Sequence, residues 1–173
     1  MRLFIALPLD GELRASLART RDAIAARSPG CTPTRDENFH LTLAFLGEQP
    51  DGAPEELRQC MCSAAGGPFI LRPDGLGCFP RGDECLWWAG VERSPELMGL
   101  AERLAAALRA RGFALEDRPF FPHLTLARRV RQPLDAAALP APEGEQRVSA
   151  MVLFRSDRPG GVLSYTPLAQ VDL

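Results

Sequence analysis

The sequence contains no lysine, and all 20 of its basic residues are arginine. Without a lysine amine, Schiff-base and lysyl-adenylate chemistry are excluded. The phosphate-binding loop G-x-x-x-x-G-K-[ST] is also absent, so no such loop holds a nucleoside triphosphate. With a formal net charge of −2, the chain lacks the overall positive field typical of nucleic-acid-binding domains. Any phosphate ligand must therefore be held by arginine, hydroxyl groups, backbone N–H groups or histidine.

The sequence also lacks a long hydrophobic run. No apolar segment approaches the roughly 20 residues that a membrane-spanning helix needs. The apolar residues 1–9 are interrupted by Pro8 and followed by Asp10, and no small-residue cleavage site of the A-x-A type comes after them. We therefore predict a first β-strand rather than a secretory signal, no membrane partner and a cytoplasmic location.

Cysteine is too irregularly spaced to form a disulfide framework. The chain has five cysteines, an odd number. Cys60 and Cys62 are separated by one residue instead of the two of a C-x-x-C motif, and no histidine is near them in the sequence. We predict reduced, mostly buried thiols, and neither a metal site nor any other cofactor.

Histidine is scarce as well, but its distribution is informative. The chain has two histidines, His40 and His123, and each begins a copy of the pentapeptide His-Leu-Thr-Leu-Ala. In a β-strand, successive side chains point to opposite faces. Thr42 should therefore share a face with His40, and Thr125 should share a face with His123. The leucines should lie on the other face, together with Phe45, and pack under the helix of their own half of the chain.

The elements around the two copies follow the same order. In each half, hydrophobic periodicity predicts an opening strand, a helix, and then the strand that carries the pentapeptide. These elements span residues 2–7, 11–27 and 40–46 in the first half and 85–91, 95–111 and 123–130 in the second. The remaining predicted elements are a helix over 55–64, strands over 69–71, 148–154 and 162–168, and an irregular surface stretch over 132–146. We predict one bilobed α+β domain over residues 1–173, with lobes over approximately 1–80 and 81–173.

Two histidines on facing strands suit the cleavage of a phosphodiester. This reaction needs a base to take a proton from the nucleophile and an acid to protonate the leaving oxygen, and imidazole can do either near neutrality. The hydroxyls of Thr42 and Thr125 could donate hydrogen bonds to the non-bridging oxygens. A single histidine on a strand is more often a structural residue, but two identical copies at matching places favour a function. Two histidines without an organised carboxylate cluster make a poor metal site, so the chemistry should be metal-independent.

The paired H-x-T motifs resemble those of the two-histidine phosphoesterase superfamily, and in particular its bacterial and archaeal RNA 2′,3′-cyclic phosphodiesterases, also called 2′-5′ RNA ligases. The resemblance extends over nearly the whole chain, through the segments M-R-L-F-I-A-L, E-N-F-H-L-T-L-A-F-L-G-E, L-W-W-A-G-V, R-P-F-F-P-H-L-T-L-A-R and V-L-F-R-S. It implies a bilobed, duplicated α+β fold in which two antiparallel sheets face each other across a central cleft, with helices on the outside. It also implies that His40 is the proton donor to the leaving 3′ oxygen, that His123 is the proton acceptor that activates water, and that Thr42 and Thr125 bind the phosphate.

The same resemblance implies an activity. The expected reaction is metal-independent hydrolysis of the 2′,3′-cyclic phosphate at an RNA 3′ end to a 2′-phosphate, and an RNA 5′-hydroxyl in place of water would give reversible, ATP-independent 2′-5′ ligation. The expected partner is RNA with such an end, tRNA fragments being one candidate, and the protein is expected to be a monomer. Two alternatives stay open: the same residues could act on a small cyclic nucleotide or a 2′-5′ linked oligonucleotide, or the chain could be a non-catalytic module that binds RNA ends or nucleotides.

The sequence departs from the family pattern in two places. Phe121 stands where the family has a basic residue before the proline of the second motif, and an aromatic ring there could stack on a base. Residues 32–35 lack the aromatic residue that the family has before the first motif. Two candidates remain for the arginine that binds phosphate: the family pattern points to Arg128, whereas strict alternation from His123 favours Arg129.

Overall fold

A computed structural model describes residues 1–131 and 133–173. The described residues form three α-helices, which are α1 (Gly11–Arg27), α2 (Ala53–Ala64) and α3 (Pro95–Ala110). The strands in chain order are β1 (Arg2–Pro8), β2 (Thr32–Pro33), β3 (His40–Glu48), β4 (Phe69–Leu71), β5 (Pro73–Arg81), β6 (Glu84–Val91), β7 (His123–Val130), β8 (Gln146–Val148), β9 (Ala150–Asp157) and β10 (Ser164–Asp172). The predicted α+β class is confirmed.

Eight of the strands form one antiparallel sheet in the order β10-β9-β1-β3-β7-β6-β5, with β2 paired to β7. The sheet has two halves of four strands, and the residue pair Leu41–Leu124 joins β3 to β7 between them. The family resemblance implied two separate antiparallel sheets. Here the two halves are hydrogen-bonded to each other within one sheet. β4 and β8 form a second, two-stranded sheet.

The two halves of the sheet do not coincide with the two halves of the sequence. β9 and β10 come from the end of the chain but extend the half that contains β1 and β3. β5, which lies almost entirely before residue 81, and β2 both belong to the half that contains β7. A boundary near residue 80 therefore does not divide the sheet in space.

The helices pack on the sheet in an exchanged arrangement. α1 contacts β7 and β2, and α3 contacts β3. Leu41 and Leu124, the central residues of the two motifs, are fully buried in the same apolar core. The prediction that each leucine face packs under the helix of its own half is wrong, because β2 follows α1 in the chain and pairs with β7, which holds α1 on that side.

The hydrophobic periodicity that predicted the helices corresponds to buried helix faces. The apolar face of α1 is buried at Leu13, Leu17 and Ile24, and the leucine stripe of α3 is buried along its whole length. Ser94 caps α3 by accepting a hydrogen bond from the backbone N–H of Leu97 at 3.3 Å. Asp10 occupies the cap position of α1 without a side-chain cap hydrogen bond.

Some boundaries and environments differ from the predictions. The predicted strand over 148–154 is divided between β8 and β9. Gln132, the first residue of the predicted irregular stretch, lies outside the described residues. All five cysteines are free, but only Cys60 is buried and Cys62 is exposed, so the prediction of mostly buried thiols is wrong.

The Gly/Pro-rich residues before Pro80, for which no strand was predicted, form the edge strand β5. A Cβ atom on Gly77 would lie 2.5 Å from the ring of Trp88. The glycine is needed there so that the indole of β6 can lie over the backbone of its neighbour.

None of the helices in the described part of the chain is long and apolar enough to cross a membrane.

Candidate active site

Both histidines stand at the first residue of a strand, and each is held by the backbone just before it. The Nδ1 atom of His40 lies 2.7 Å from the carbonyl oxygen of Asn38. The Nδ1 atom of His123 lies 2.9 Å from the carbonyl oxygen of Phe121. Because a carbonyl oxygen can only accept, Nδ1 must carry the hydrogen in both rings. In the neutral form, each Nε2 therefore keeps a lone pair that can accept a proton, and in the charged form it carries one that can be donated.

The sheet brings the two motifs to one place. Leu41 and Leu124 are direct partners, and both are buried in the core. Since side chains alternate, the neighbouring His40, Thr42 and His123, with Thr125, flank this pair on the opposite face. His123 is close enough to His40 for its positive charge to lower the pKa of His40.

The second leucine of each pentapeptide is a β-bulge. In β3, Thr42 pairs with Ala6 and Ala44 with Ile5, which leaves Leu43 as an extra residue. In β7, the same register shift lies between Thr125 and Ala127. A bulge inserts one residue and so reverses the alternation beyond it.

The bulges decide which later side chains face the site. Phe45 is 40% exposed and lines the same cavity as His40, so the prediction that it lies on the leucine face is wrong. At the equivalent place in β7, Arg128 lines that cavity. Arg129 has a positive φ of 60° and its Nε lies 3.6 Å from a carboxylate oxygen of Glu84. Strict alternation, which favoured Arg129, therefore fails at the bulge.

A cavity of about 510 Å³ extends from His40 along β1 and β3. His123 and Thr125 are outside its wall, so it lies on the His40 side of the site. Its wall includes the side chains of His40, Thr42, Arg128, Tyr165, Arg2 and Arg158.

Aromatic rings surround each histidine. His40 lies between Phe4 and Tyr165, with ring centroids 5.0 Å and 5.1 Å away. The rings nearest His123 are those of Phe79 at 5.2 Å, Phe121 at 6.0 Å and Trp88 at 6.5 Å. Phe121 is 42% exposed and packs edge-on against Trp88, so one aromatic cluster beside His123 is open to a ligand.

Burial and positive charge both favour neutral histidines. The pKa of His40 is lowered to about 4, mainly by burial; the Asn38 carbonyl opposes this shift, and the charges of Arg128 and His123 add to it. Burial also lowers the pKa of His123, with smaller contributions from Arg118 and Arg128. An anion that enters the site offsets these charges and raises both pKa values. Proton binding at His40 would therefore be coupled to the binding of an anion beside it.

Some residues of the site were not found from the sequence. Tyr165, the only tyrosine of the chain, contacts His40 and lies within the field of three arginines. Burial raises the pKa of its hydroxyl, and Arg128, Arg158 and Arg2 oppose that effect. No local motif marks Tyr165, because it reaches His40 only through the pairing of β10 with β9 and of β9 with β1.

Metal-binding side chains are not clustered. Among residues 1–131 and 133–173, no three His, Cys, Asp or Glu side chains are grouped to hold a metal ion.

Comparisons with known proteins give consistent matches. A family model described as LigT-like phosphoesterase matches residues 7–87. An RNA 2′,3′-cyclic phosphodiesterase of Escherichia coli is 31% identical over 170 residues, which are 96% of this chain and 93% of that protein. Another from Geobacillus stearothermophilus is 35% identical over 162 residues, which are 89% of this chain and 52% of that protein, so the chain spans about half of that relative. The crystal structure of E. coli LigT complexed with 3′-AMP superposes with a TM-score of 0.85 and 30% identity over 99% of this chain and 97% of that one.

Proposed function

The chain belongs to the RNA 2′,3′-cyclic phosphodiesterase family of LigT-like phosphoesterases, and on that premise we propose that it opens the 2′,3′-cyclic phosphate at an RNA 3′ end to leave a 2′-phosphate. The observation that carries the proposal is the pair of imidazoles on one face of the sheet, each with Nδ1–H donated to a backbone carbonyl and with no hydrogen-bond partner for Nε2 among residues 1–131 and 133–173. A ribonucleoside 3′-phosphate is the ligand of the similar LigT structure, which supports a site for phosphate on ribose.

The reaction follows from the two Nε2 atoms. A water molecule attacks phosphorus, and Nε2 of His123 takes its proton. The bond from phosphorus to O3′ breaks, and Nε2–H of His40 donates its proton to O3′. The products are a 2′-phosphate and a free 3′-hydroxyl, and the two histidines have exchanged protonation states.

The negative charge that develops on the non-bridging oxygens needs donors nearby. The hydroxyls of Thr42 and Thr125 flank the histidines, and the guanidinium group of Arg128 lies close enough to influence both imidazoles. We assign Arg128 to phosphate binding, since it has no carboxylate partner in the described part of the chain and a charged donor stabilises an anion more than a neutral one does. The substrate anion also raises the pKa of His40, which prepares it as the acid.

The first prediction tests the reaction itself. An RNA oligonucleotide ending in a 2′,3′-cyclic phosphate should be converted to the 2′-phosphate in EDTA and without ATP. Phosphorus NMR identifies the product, because 2′- and 3′-monophosphates have distinct shifts. A cyclic mononucleotide in a parallel reaction separates RNA-end hydrolysis from the small-nucleotide alternative. A requirement for added Mg²⁺, or binding of the oligonucleotide without turnover, would contradict the proposal.

The second prediction concerns Phe121. Stacking of a base on an aromatic ring contributes roughly 1–3 kcal/mol. Phe121→Ala should therefore lower kcat/KM more for a base-bearing cyclic phosphate than for a cyclic phosphate without a base. Phe121→Tyr, which keeps the ring, is the matched control and should retain the discrimination. Equal losses on both substrates in Phe121→Ala would mean that the ring only packs against Trp88.

Several narrower points stay predictions. Ligation would follow if an RNA 5′-hydroxyl replaced water beside His123. Incubation of a 2′-5′ linked dinucleotide with the protein tests this step in reverse, through release of a 2′,3′-cyclic phosphate and a 5′-hydroxyl. tRNA fragments as natural substrates, a monomeric state and a cytoplasmic location can be checked by RNA capture, light scattering and cell fractionation.

A further inference from the structure

The cavity beside His40 carries positive charge that the proposed phosphoryl chemistry does not use. Arg2 and Arg158 lie in its wall together with Arg128. In residues 1–131 and 133–173, none of the three guanidinium groups forms an ion pair with a carboxylate. This concentration is unusual in a chain with a net charge of −2, because its other arginines are frequently paired, as Arg72 and Arg131 are.

Nearby carboxylates are engaged with other groups. Glu48 lies 3.4 Å from the amino group of Met1, and Asp157 accepts a hydrogen bond from Arg155 at 2.6 Å. Arg2 lies over the ring of Phe45 at 4.9 Å from its centroid. A cation–π contact holds a guanidinium group without neutralising it, so its N–H donors remain available to an anion.

The two arginines are adjacent in the fold. Arg2 begins β1, and Arg158 directly follows β9, which pairs with β1. Both charges act on the hydroxyl of Tyr165, whose ring contacts His40. Arg2 and Arg158 therefore converge on the space next to the proposed acid.

The chemistry of ribose indicates what occupies that space. O3′ is attached to C3′, whose neighbour C4′ carries C5′ and the preceding phosphate. O2′ is attached to C2′, whose neighbour C1′ carries the base. If His40 protonates O3′, which rests on the proposed function, the preceding phosphate leaves the ribose on the His40 side. The base then points away from the arginine cavity, towards the aromatic cluster beside His123.

We propose that Arg2 and Arg158 bind the phosphodiester that precedes the terminal nucleotide. The site would thereby distinguish an RNA end from a free nucleoside 2′,3′-cyclic phosphate, which has no such phosphate.

Three substrates separate the charge of this phosphate from the rest of the preceding nucleotide. They are a nucleoside 2′,3′-cyclic phosphate, a dinucleotide with the same cyclic end, and that dinucleotide with an uncharged methylphosphonate linkage. The wild-type protein should have a higher kcat/KM for the charged dinucleotide than for the other two, and the preference should shrink as salt is added.

Arg158→Ala and Arg2→Ala should each reduce the preference for the charged over the uncharged dinucleotide about ten- to a hundredfold, the scale of one charge-assisted hydrogen bond. Arg109→Ala, which removes an exposed arginine on α3, is the control and should keep the wild-type preference. An unaltered preference in both variants, or a wild-type protein indifferent to the linkage charge, would overturn this inference while hydrolysis of the cyclic end remained. A wild-type protein that hydrolysed none of the three substrates would overturn the proposed function, and this inference with it.

Discussion

Replacing either histidine with alanine is expected to lower kcat/KM for a 2′,3′-cyclic phosphate by a factor of about 10²–10⁴, the usual contribution of one positioned acid or base. The reason is that His40 and His123 are the two histidines of the chain, so no other imidazole can replace the lost group. Steady-state kinetics on the dinucleotide measures the loss, and thermal unfolding checks that each variant remains folded. Near-normal activity in either variant would remove that histidine from the mechanism.

A second substrate separates the acid from the base. A phosphodiester with an aryl leaving group of low pKa needs little protonation as it departs. His40→Ala should therefore recover much of its activity on such a substrate, whereas His123→Ala should not. Equal losses in both variants would contradict the assignment of His40 as the proton donor.

The pH dependence should reflect the same roles. In the proposed mechanism, the active form of the free protein has a protonated His40 and a neutral His123. The pKa of His40 is lowered to about 4 and that of His123 is also lowered. kcat/KM should therefore be highest below the ordinary histidine pKa of about 6.5 and should fall as rising pH removes the proton from His40. His40→Ala should lack this alkaline decline.

Arg128→Ala is expected to lower kcat by a factor of about 10²–10³, the scale for removing one preorganised donor to a developing oxyanion. Arg128 lines the cavity with His40 and Thr42, whereas its neighbour Arg129 pairs with Glu84. Arg129→Ala is therefore the matched control and should retain most of the activity. Arg128→Lys keeps the charge but loses the forked geometry of the guanidinium group, and should recover only part of the loss. If Arg129→Ala were the more damaging change, the strict alternation from His123 would be functionally correct after all.

The comparison of Arg128 with Arg129 illustrates where sequence reasoning succeeds and where it stops. Period-two alternation correctly places His40 and Thr42 opposite Leu41, because that part of the strand is regular. It fails at Phe45, three residues after Thr42, because the register of β3 with β1 places a bulge at Leu43. Nothing in the residue types of Leu-Thr-Leu-Ala distinguishes a bulge from a regular strand.

Long-range packing was the other limit. The leucine stripe of α3 predicted a buried helix face, but not that this face would lie on β3 of the other half of the chain. Tyr165 could not be predicted as a site residue because it also depends on long-range packing. The order of strands β10, β9 and β1 brings it to His40. Local periodicity is enough to predict the individual helices and strands. The order of the strands in the sheet depends on contacts between residues that are far apart in sequence.

The acceptors that orient the two imidazoles are main-chain carbonyls, at Asn38 and Phe121. A carbonyl is present whatever side chain the residue carries, so substitution at these positions leaves the hydrogen bond in place as long as the backbone path is kept. The residue at position 121 can therefore change during evolution, or be randomised in a library, without misaligning the imidazole of His123. If Phe121 stacks on the base as proposed, a new charge or amide there would alter the contact with the nucleobase while the proton-transfer geometry stayed constant, which would make this position a route by which the fold can acquire new substrates.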